Sequence, residues 1–188
     1  MHKRFVGVAG ITLLGGLVLA ATTWAAAPKV GDTAADFSLL DLEGRKHTLS
    51  EFTSKKPTVL VVLRGYPGYQ CPACSAQVRS LIDASEDLRS ANVVLVYPGP
   101  ADQLTARAKE FVGSKSLPEG FTLLLDPAYR FTSDYGLRWN APNETAYPST
   151  FVIDGSNKVR FAKVSRSHGG RASAREVIGA LGGINTPK

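Results

Sequence analysis

The chain has 188 residues, of which 44% are hydrophobic and 20% are charged. These ordinary values exclude a disordered chain, a collagen-like rod and a polytopic membrane protein. The net charge is +6, and the basic residues that produce it are scattered along the sequence. Such a weak field does not indicate nucleic-acid binding. We therefore expect one folded domain with no nucleic-acid partner.

The first 25 residues have the pattern of a secretory signal peptide. Positive residues 1–4 precede the apolar stretch FVGVAGITLLGGLVLA, and a run of small residues follows up to Ala25. We predict cleavage after Ala25, which leaves residues 26–188 as a domain that is periplasmic or secreted from a bacterium, without stable membrane association. The alternative is an uncleaved anchor, because residues 5–21 approach the length of roughly 20 residues that crosses a bilayer.

Beyond the leader, strands alternate with helices. Residues 58–63 (TVLVVL) are a continuous, β-branched apolar run, which is typical of a central strand buried on both faces. In chain order, the predicted elements are a hairpin of strands 37–41 and 46–49, a strand 58–63, a helix from Cys71 to about Leu88, a strand 93–97, a helix 101–112, a strand 121–125, a short helix 129–135, a hairpin of strands 149–154 and 159–164, and a helix 173–181 that ends at Gly182 and Gly183. This order predicts an α/β domain with three layers and a mixed sheet.

Cys71 and Cys74 are the chain's two cysteines, and they flank Pro72 and Ala73. On the first turn of a helix, this spacing brings the two sulfurs close enough to form a disulfide. The helix N-terminus favours a thiolate, and Arg64 is the nearest charged residue before Cys71, so it is predicted to stabilise the thiolate. The pattern indicates a redox-active dithiol that needs no cofactor.

Two other uses of the cysteines compete with this interpretation. A structural disulfide is possible in an exported protein, but a loop of two residues removes little chain entropy. A zinc site needs four ligands, and beyond the leader the chain offers only His47 and His168, without ligand-like spacing. We therefore expect no metal site.

Three stretches, in their expected order, resemble the redoxin branch of the thioredoxin superfamily, which contains the alkyl hydroperoxide reductase and thiol-specific antioxidant proteins. They are VGDTAADFSLLDLEGRKHTLSEF, VVLRGYPGYQCPACSAQ and YPSTFVIDGSNKV. The resemblance implies a thioredoxin-like α/β/α domain with an N-terminal β-hairpin. It also implies that Tyr147 and Pro148 are joined by a cis peptide bond that faces the dithiol and binds extended substrate backbone.

Two patterns within this superfamily disagree about the attacking sulfur. In the thioredoxin pattern, Cys71 attacks and Cys74 resolves the mixed disulfide. In the peroxiredoxin pattern P-x-x-x-T/S-x-x-C, Pro67 and Cys74 match, so Cys74 attacks and Cys71 takes the place of the hydroxyl residue. Pro148 stands where that pattern has an arginine.

The resemblance implies an exported thiol oxidoreductase that exchanges disulfides with exported proteins. The alternative is a peroxiredoxin-like antioxidant that reduces hydroperoxides through Cys74, with Cys71 resolving. The expected partners are protein thiols and disulfides or small hydroperoxides, together with a reducing redox partner. A copper-binding chaperone is a second alternative, because relatives of this fold bind Cu(I) with two thiolates and a histidine.

Overall fold

A mixed sheet forms the centre of the molecule. A computed structural model describes residues 26–113 and 116–185. Its strands are β1 (Ser38–Asp41), β2 (Lys46–Thr48), β3 (Thr58–Val62), β4 (Asn92–Gly99), β5 (Phe121–Pro127), β6 (Ser149–Ile153) and β7 (Val159–Val164). They lie in the order β2-β1-β5-β4-β3-β6-β7. The pairs β3–β4 and β4–β5 are parallel and the others are antiparallel, which confirms the mixed sheet and the N-terminal hairpin.

Helices cover both faces of this sheet. They are α1 (Leu49–Thr53), α2 (Pro72–Asp83), α3 (Ser85–Leu88), α4 (Leu104–Val112), α5 (Arg130–Asp134) and α6 (Ala174–Asn185). Helices α2, α3, α4 and α6 contribute to the buried cluster on one face, whereas α1 and α5 contribute to the cluster on the other. This arrangement confirms the three-layer α/β/α prediction.

Strand β3 shows why its sequence is apolar without alternation. Val59 and Val61 pack into the cluster on one face, while Leu60 and Val62 pack into the other, and all four are fully buried. Because helices lie above and below the strand, no position on it faces water. The strand ends at the loop that leads to the two cysteines, so it fixes one side of the candidate site.

The helices differ from the prediction in several places. Helix α1 is absent from the prediction, and the predicted helix from Cys71 to about Leu88 is interrupted at Ala84, which separates α2 from α3.

Helix α4 begins at Leu104 rather than at residue 101, because Leu104 is the first residue of that region to enter the core. Helix α6 continues through Gly182 and Gly183 instead of ending there. Ile184 packs against the core beyond them, and this tertiary contact outweighs the low helix propensity of glycine.

The predicted leader, residues 1–25, lies outside the described residues. Of the helices in the described part of the chain, none is long and apolar enough to span a bilayer.

The loop between β3 and α2 leaves no room for a side chain at Gly65. Gly65 has a φ of +69°, and a Cβ atom there would lie 1.9 Å from the carbonyl oxygen of Pro98. We expect Gly65→Ala to lower the free energy of unfolding for two reasons. Alanine is strained in a left-handed backbone, which costs about 1–2 kcal/mol. The clash of its Cβ atom with β4 costs a further amount of about 1–3 kcal/mol.

Gly44 provides a matched control for this prediction. Its φ is +79°, but a Cβ atom there would meet nothing within 4 Å. Gly44→Ala should therefore show only the backbone cost, about 1–2 kcal/mol. Urea unfolding of both variants measures the difference, and equal losses would contradict the close approach of Gly65 to β4.

Candidate active site

The two cysteines lie at the N-terminus of α2. Cys71 caps the helix, and its carbonyl oxygen accepts the N–H groups of Cys74 and Ser75, each at 3.1 Å. Pro72 is the first helical residue, a position that has no need of a backbone N–H. Both thiols are free, and Cys71 and Cys74 are only 3% and 1% exposed. The helix therefore begins with a reduced, buried dithiol.

Hydrogen-bond donors from two other segments reach the sulfurs. The backbone N–H of Arg64, directly after β3, donates to Cys74 Sγ at 3.3 Å. The Nη2 atom of Arg171 lies 3.6 Å from Cys71 Sγ and 3.5 Å from Cys74 Sγ. One guanidinium group therefore bridges both sulfurs, and it supplies positive charge where burial has removed water.

These contacts shift the pKa values of the two thiols in opposite directions. The Cys74 thiol donates a hydrogen bond to Cys71, and this bond, with the Cys74 N–H and the positive charge of Arg171, lowers the pKa of Cys71 to about 5. The same hydrogen bond, together with burial, raises the pKa of Cys74. Tyr97 on β4 donates its phenol hydrogen bond to Gln70 at 2.8 Å, and burial, with a smaller effect of the Cys74 charge, raises the pKa of Tyr97. Near neutral pH, the pair holds one thiolate, on Cys71, and one thiol, on Cys74.

The structure places Arg64 beside the dithiol, as the sequence predicts, but its side chain has other partners. Its Nε donates to Glu144 Oε2 at 2.6 Å, its Nη1 to Tyr69 Oη at 2.6 Å, and its Nη2 to the carbonyl of Asn143 at 2.8 Å. Its backbone N–H donates to Cys74 Sγ, and a hydrogen bond from its side chain is among the contacts that lower the pKa of Cys71. Stabilisation of the thiolate by this residue stays a prediction.

Tyr147 and Pro148 directly precede β6. The Tyr147 N–H donates to the carbonyl of Leu137 at 2.8 Å, and the Pro148 carbonyl accepts the N–H of Ser165 at 2.9 Å. No peptide bond is cis within the described residues, so the expected cis bond between Tyr147 and Pro148 is wrong. Trans is the more stable isomer even before proline, and this bond follows that general preference. Tyr147 stacks on Trp139 at 4.9 Å, and substrate binding by Tyr147 and Pro148 stays a prediction.

Sequence reasoning missed two residues of this site. Arg171 is separated from the two cysteines by 100 and 97 positions, and Glu144 is separated from Arg64 by 80. Neither belongs to a motif with characteristic spacing. The one available signal was the run of cationic and glycine residues in RSHGGRAS, which follows β7.

The two histidines beyond the leader lie in different places. His47 bonds to Asp41 at 3.0 Å in the N-terminal hairpin. His168 is exposed and bonds to Glu144 at 2.7 Å, near the dithiol. Within the described residues, no group of three or more His, Cys, Asp or Glu side chains is arranged to hold a metal ion. The copper hypothesis stays a prediction.

Comparisons with known proteins agree on one family. The sequence profile of the family described as Redoxin matches residues 29–178. The chain is 28% identical over 131 residues to peroxiredoxin Q, chloroplastic, from Oryza sativa subsp. japonica, covering 70% of this chain and 57% of the rice protein. It is 26% identical over 137 residues to peroxiredoxin Bcp from Escherichia coli (strain K12), covering 70% of this chain and 82% of that protein. The chain therefore spans less than two thirds of the length of the rice relative.

A solved structure with the same fold is the crystal structure of peroxidoxin BcpB from Mycobacterium tuberculosis. It has a TM-score of 0.65 and 25% sequence identity, and the match covers 84% of this chain and 99% of that chain. This chain and the mycobacterial protein therefore have the same fold.

The lowered pKa of Cys71 predicts a dependence of stability on pH. In an unfolded chain a cysteine titrates near about 8.5, whereas in the folded protein Cys71 titrates at about 5. Between these values the unfolded chain binds more protons, so the free energy of unfolding rises with pH. This contribution is complete above the unfolded pKa and is lost as the pH falls through the folded pKa.

Urea unfolding of the reduced protein between about pH 5.5 and about pH 8 measures this effect. Relative to Cys71→Ser, the wild type should gain up to about 1.4 kcal/mol for each pH unit. Parallel pH profiles for the two proteins would contradict a thiolate at Cys71.

Proposed function

Because the chain belongs to the redoxin family, we propose that it is a thiol-dependent peroxidase that reduces hydroperoxides with the dithiol of Cys71 and Cys74. The main support for this proposal is the environment of the buried Cys71 sulfur. It accepts a hydrogen bond from the Cys74 thiol and is in contact with the guanidinium of Arg171. The names of the two curated relatives, both peroxiredoxins, support the same activity.

The burial of both sulfurs favours a small substrate. Cys71 and Cys74 are at most 3% exposed, so little of either sulfur is open to a substrate. A small hydroperoxide needs to bring only one oxygen atom to the sulfur. A protein disulfide must bring a sulfur with its flanking backbone. Disulfide exchange with exported proteins stays a prediction, and hydroperoxide reduction is the function that this geometry supports better.

The electrostatics favour Cys71 as the attacking sulfur. The thiolate is the nucleophile, and the lowered pKa of Cys71 supplies one at neutral pH. The raised pKa of Cys74 keeps that group protonated as long as Cys71 is a thiolate, because the Cys71 sulfur accepts its hydrogen bond and repels a second negative charge. Oxidation of Cys71 to a neutral sulfenic acid removes that charge, so Cys74 can then lose its proton and resolve the intermediate. This assignment reverses the roles that the peroxiredoxin motif gives to the two cysteines.

The reaction then has two steps. The Cys71 thiolate attacks one oxygen of the hydroperoxide, the O–O bond breaks, and the departing alkoxide or hydroxide takes up a proton; Cys71 becomes a sulfenic acid. Cys74 next gives up its proton and attacks the Cys71 sulfur, so that the S–S bond forms and the S–O bond breaks, and the departing hydroxide takes up a proton and leaves as water. The dithiol has then given two electrons to the peroxide, and a reducing thiol partner must restore it.

Arg171 is placed to assist the first step. Negative charge moves from the sulfur to the departing oxygen when the O–O bond breaks, and a fixed cation nearby stabilises that charge. Pro148 occupies the position at which the peroxiredoxin pattern has an arginine, and Arg171 brings a guanidinium from the segment before α6. We assign Arg171 the role of the missing cation.

The place of action is part of this proposal. If residues 1–25 act as a cleaved leader, the enzyme works outside the cytoplasm of a bacterium, where disulfides persist. Its reductant is then an exported dithiol protein.

Stopped-flow reaction of the reduced protein with hydrogen peroxide tests the activity and the roles together. We expect the wild type and Cys74→Ser to react much faster than a simple thiol, because both retain the Cys71 thiolate, and Cys71→Ser to lose the fast reaction. Retention of the fast reaction in Cys71→Ser would make Cys74 the attacking residue. If no protein exceeds the simple thiol, the peroxidase function is wrong.

A further inference from the structure

Glu144 joins two groups that surround the dithiol. It lies in the irregular segment between α5 and β6, and its side chain is 10% exposed. Its Oε2 atom accepts Arg64 Nε at 2.6 Å, and its Oε1 atom pairs with His168 Nε2 at 2.7 Å. Both carboxylate oxygens are therefore used to hold side chains from two distant parts of the sequence.

The first of these contacts fixes the backbone beside Cys74. The Arg64 side chain is 3% exposed, and all three of its nitrogen atoms donate hydrogen bonds to Glu144, Tyr69 and Asn143. Its backbone N–H is the donor that reaches Cys74 Sγ. Because a buried guanidinium without its carboxylate is costly, the ion pair with Glu144 keeps Arg64 and this donor in place.

The second contact fixes the segment that carries Arg171. Residues 165–171 lie between β7 and α6, and His168 is the member that reaches Glu144. The carbonyl oxygen of His168 accepts a hydrogen bond from Arg171 Nη1, while Arg171 Nη2 lies over both sulfurs. A continuous chain of contacts therefore runs from Glu144 through His168 to the guanidinium at the dithiol.

We propose that Glu144 is a positioning residue for the dithiol, which holds the Arg64 backbone donor and, through His168, the Arg171 guanidinium against the two sulfurs. The proposal rests on the proposed function in so far as the Cys71 thiolate is the reacting group. Glu144 itself acts through the two arginines.

The direction in which the pKa of Cys71 changes distinguishes a positioning role of Glu144 from the direct effect of its negative charge. Removing a negative charge near a thiolate lowers the pKa of the thiol, because the thiolate is repelled less. Releasing the Arg171 segment raises that pKa, because the thiolate loses a donor and a positive charge. A positioning role therefore predicts a higher pKa for Cys71 in Glu144→Ala, opposite to the direct effect of the lost charge.

The experiment is the pH dependence of alkylation of Cys71 by iodoacetamide in the reduced, full protein, followed by mass spectrometry. We expect the apparent pKa of Cys71 to rise in Glu144→Ala and in His168→Ala, and to return towards the wild-type value in Glu144→Gln, which retains an acceptor for Arg64. Each unit of increase reduces the thiolate fraction below the pKa about tenfold. Glu86→Gln is the control, because Glu86 is 90% exposed and pairs with Arg89 on the surface.

His168→Ala keeps the test decisive if Glu144→Ala does not fold, because His168 is 58% exposed and Arg64 retains its carboxylate partner in that variant. An unchanged or lowered pKa of Cys71 in His168→Ala and in any folded Glu144→Ala would overturn the proposal. Alkylation does not require peroxidase activity. A shifted alkylation profile in a protein that is inert to hydrogen peroxide would therefore support the positioning role and reject the proposed function alone.

Discussion

A buried thiolate persists in this protein only because donors and positive charge replace the water that burial removes. Cys71 is 3% exposed, and an isolated anion at such a position would take up a proton. The Cys74 thiol, the backbone at the start of α2 and the guanidinium of Arg171 supply the missing interactions. The reactivity that we assign to the dithiol depends on these groups remaining together.

The fold brings these groups together from three segments. The end of β3 carries Arg64, the start of α2 carries the cysteines, and residues 165–171 carry Arg171. Gln77 on α2 donates to Thr150 on β6 and to the carbonyl of Ala172 before α6, at 3.3 Å in each case. These bonds tie the helix to the sheet and to the start of α6, so the relative positions of sulfur and guanidinium follow from the packing of the core.

Part of this site can be predicted from sequence patterns among residues that are close together in the chain. Continuous apolar character identified β3, and helical spacing placed Cys71 and Cys74 on the first turn of α2 with Arg64 close by. Such features depend on residues near each other in the chain. Arg171 and Glu144 reach the dithiol only through tertiary packing, and no spacing rule connects them to the cysteines.

Two predictions are wrong for different physical reasons. Gly182 and Gly183 favour a helix end locally, but packing of Ile184 against the core extends α6 beyond them. The Tyr147–Pro148 bond is trans, with hydrogen bonds on both sides that connect it to other segments. At Gly182 and Gly183 a tertiary contact outweighs the local preference, whereas at Tyr147–Pro148 the resemblance implied a rare isomer and the chain has the common one.

We infer that Arg171, together with the Cys74 thiol, holds the buried Cys71 as a thiolate. A pH titration of the ultraviolet absorbance of the thiolate tests this inference, in the reduced wild type and in Arg171→Met, which removes the charge and retains an apolar chain. We expect a thiolate in the wild type well below neutral pH and a higher midpoint in Arg171→Met. A wild-type midpoint near about 8.5, the value of an ordinary cysteine, would contradict it, as would identical midpoints in the two proteins.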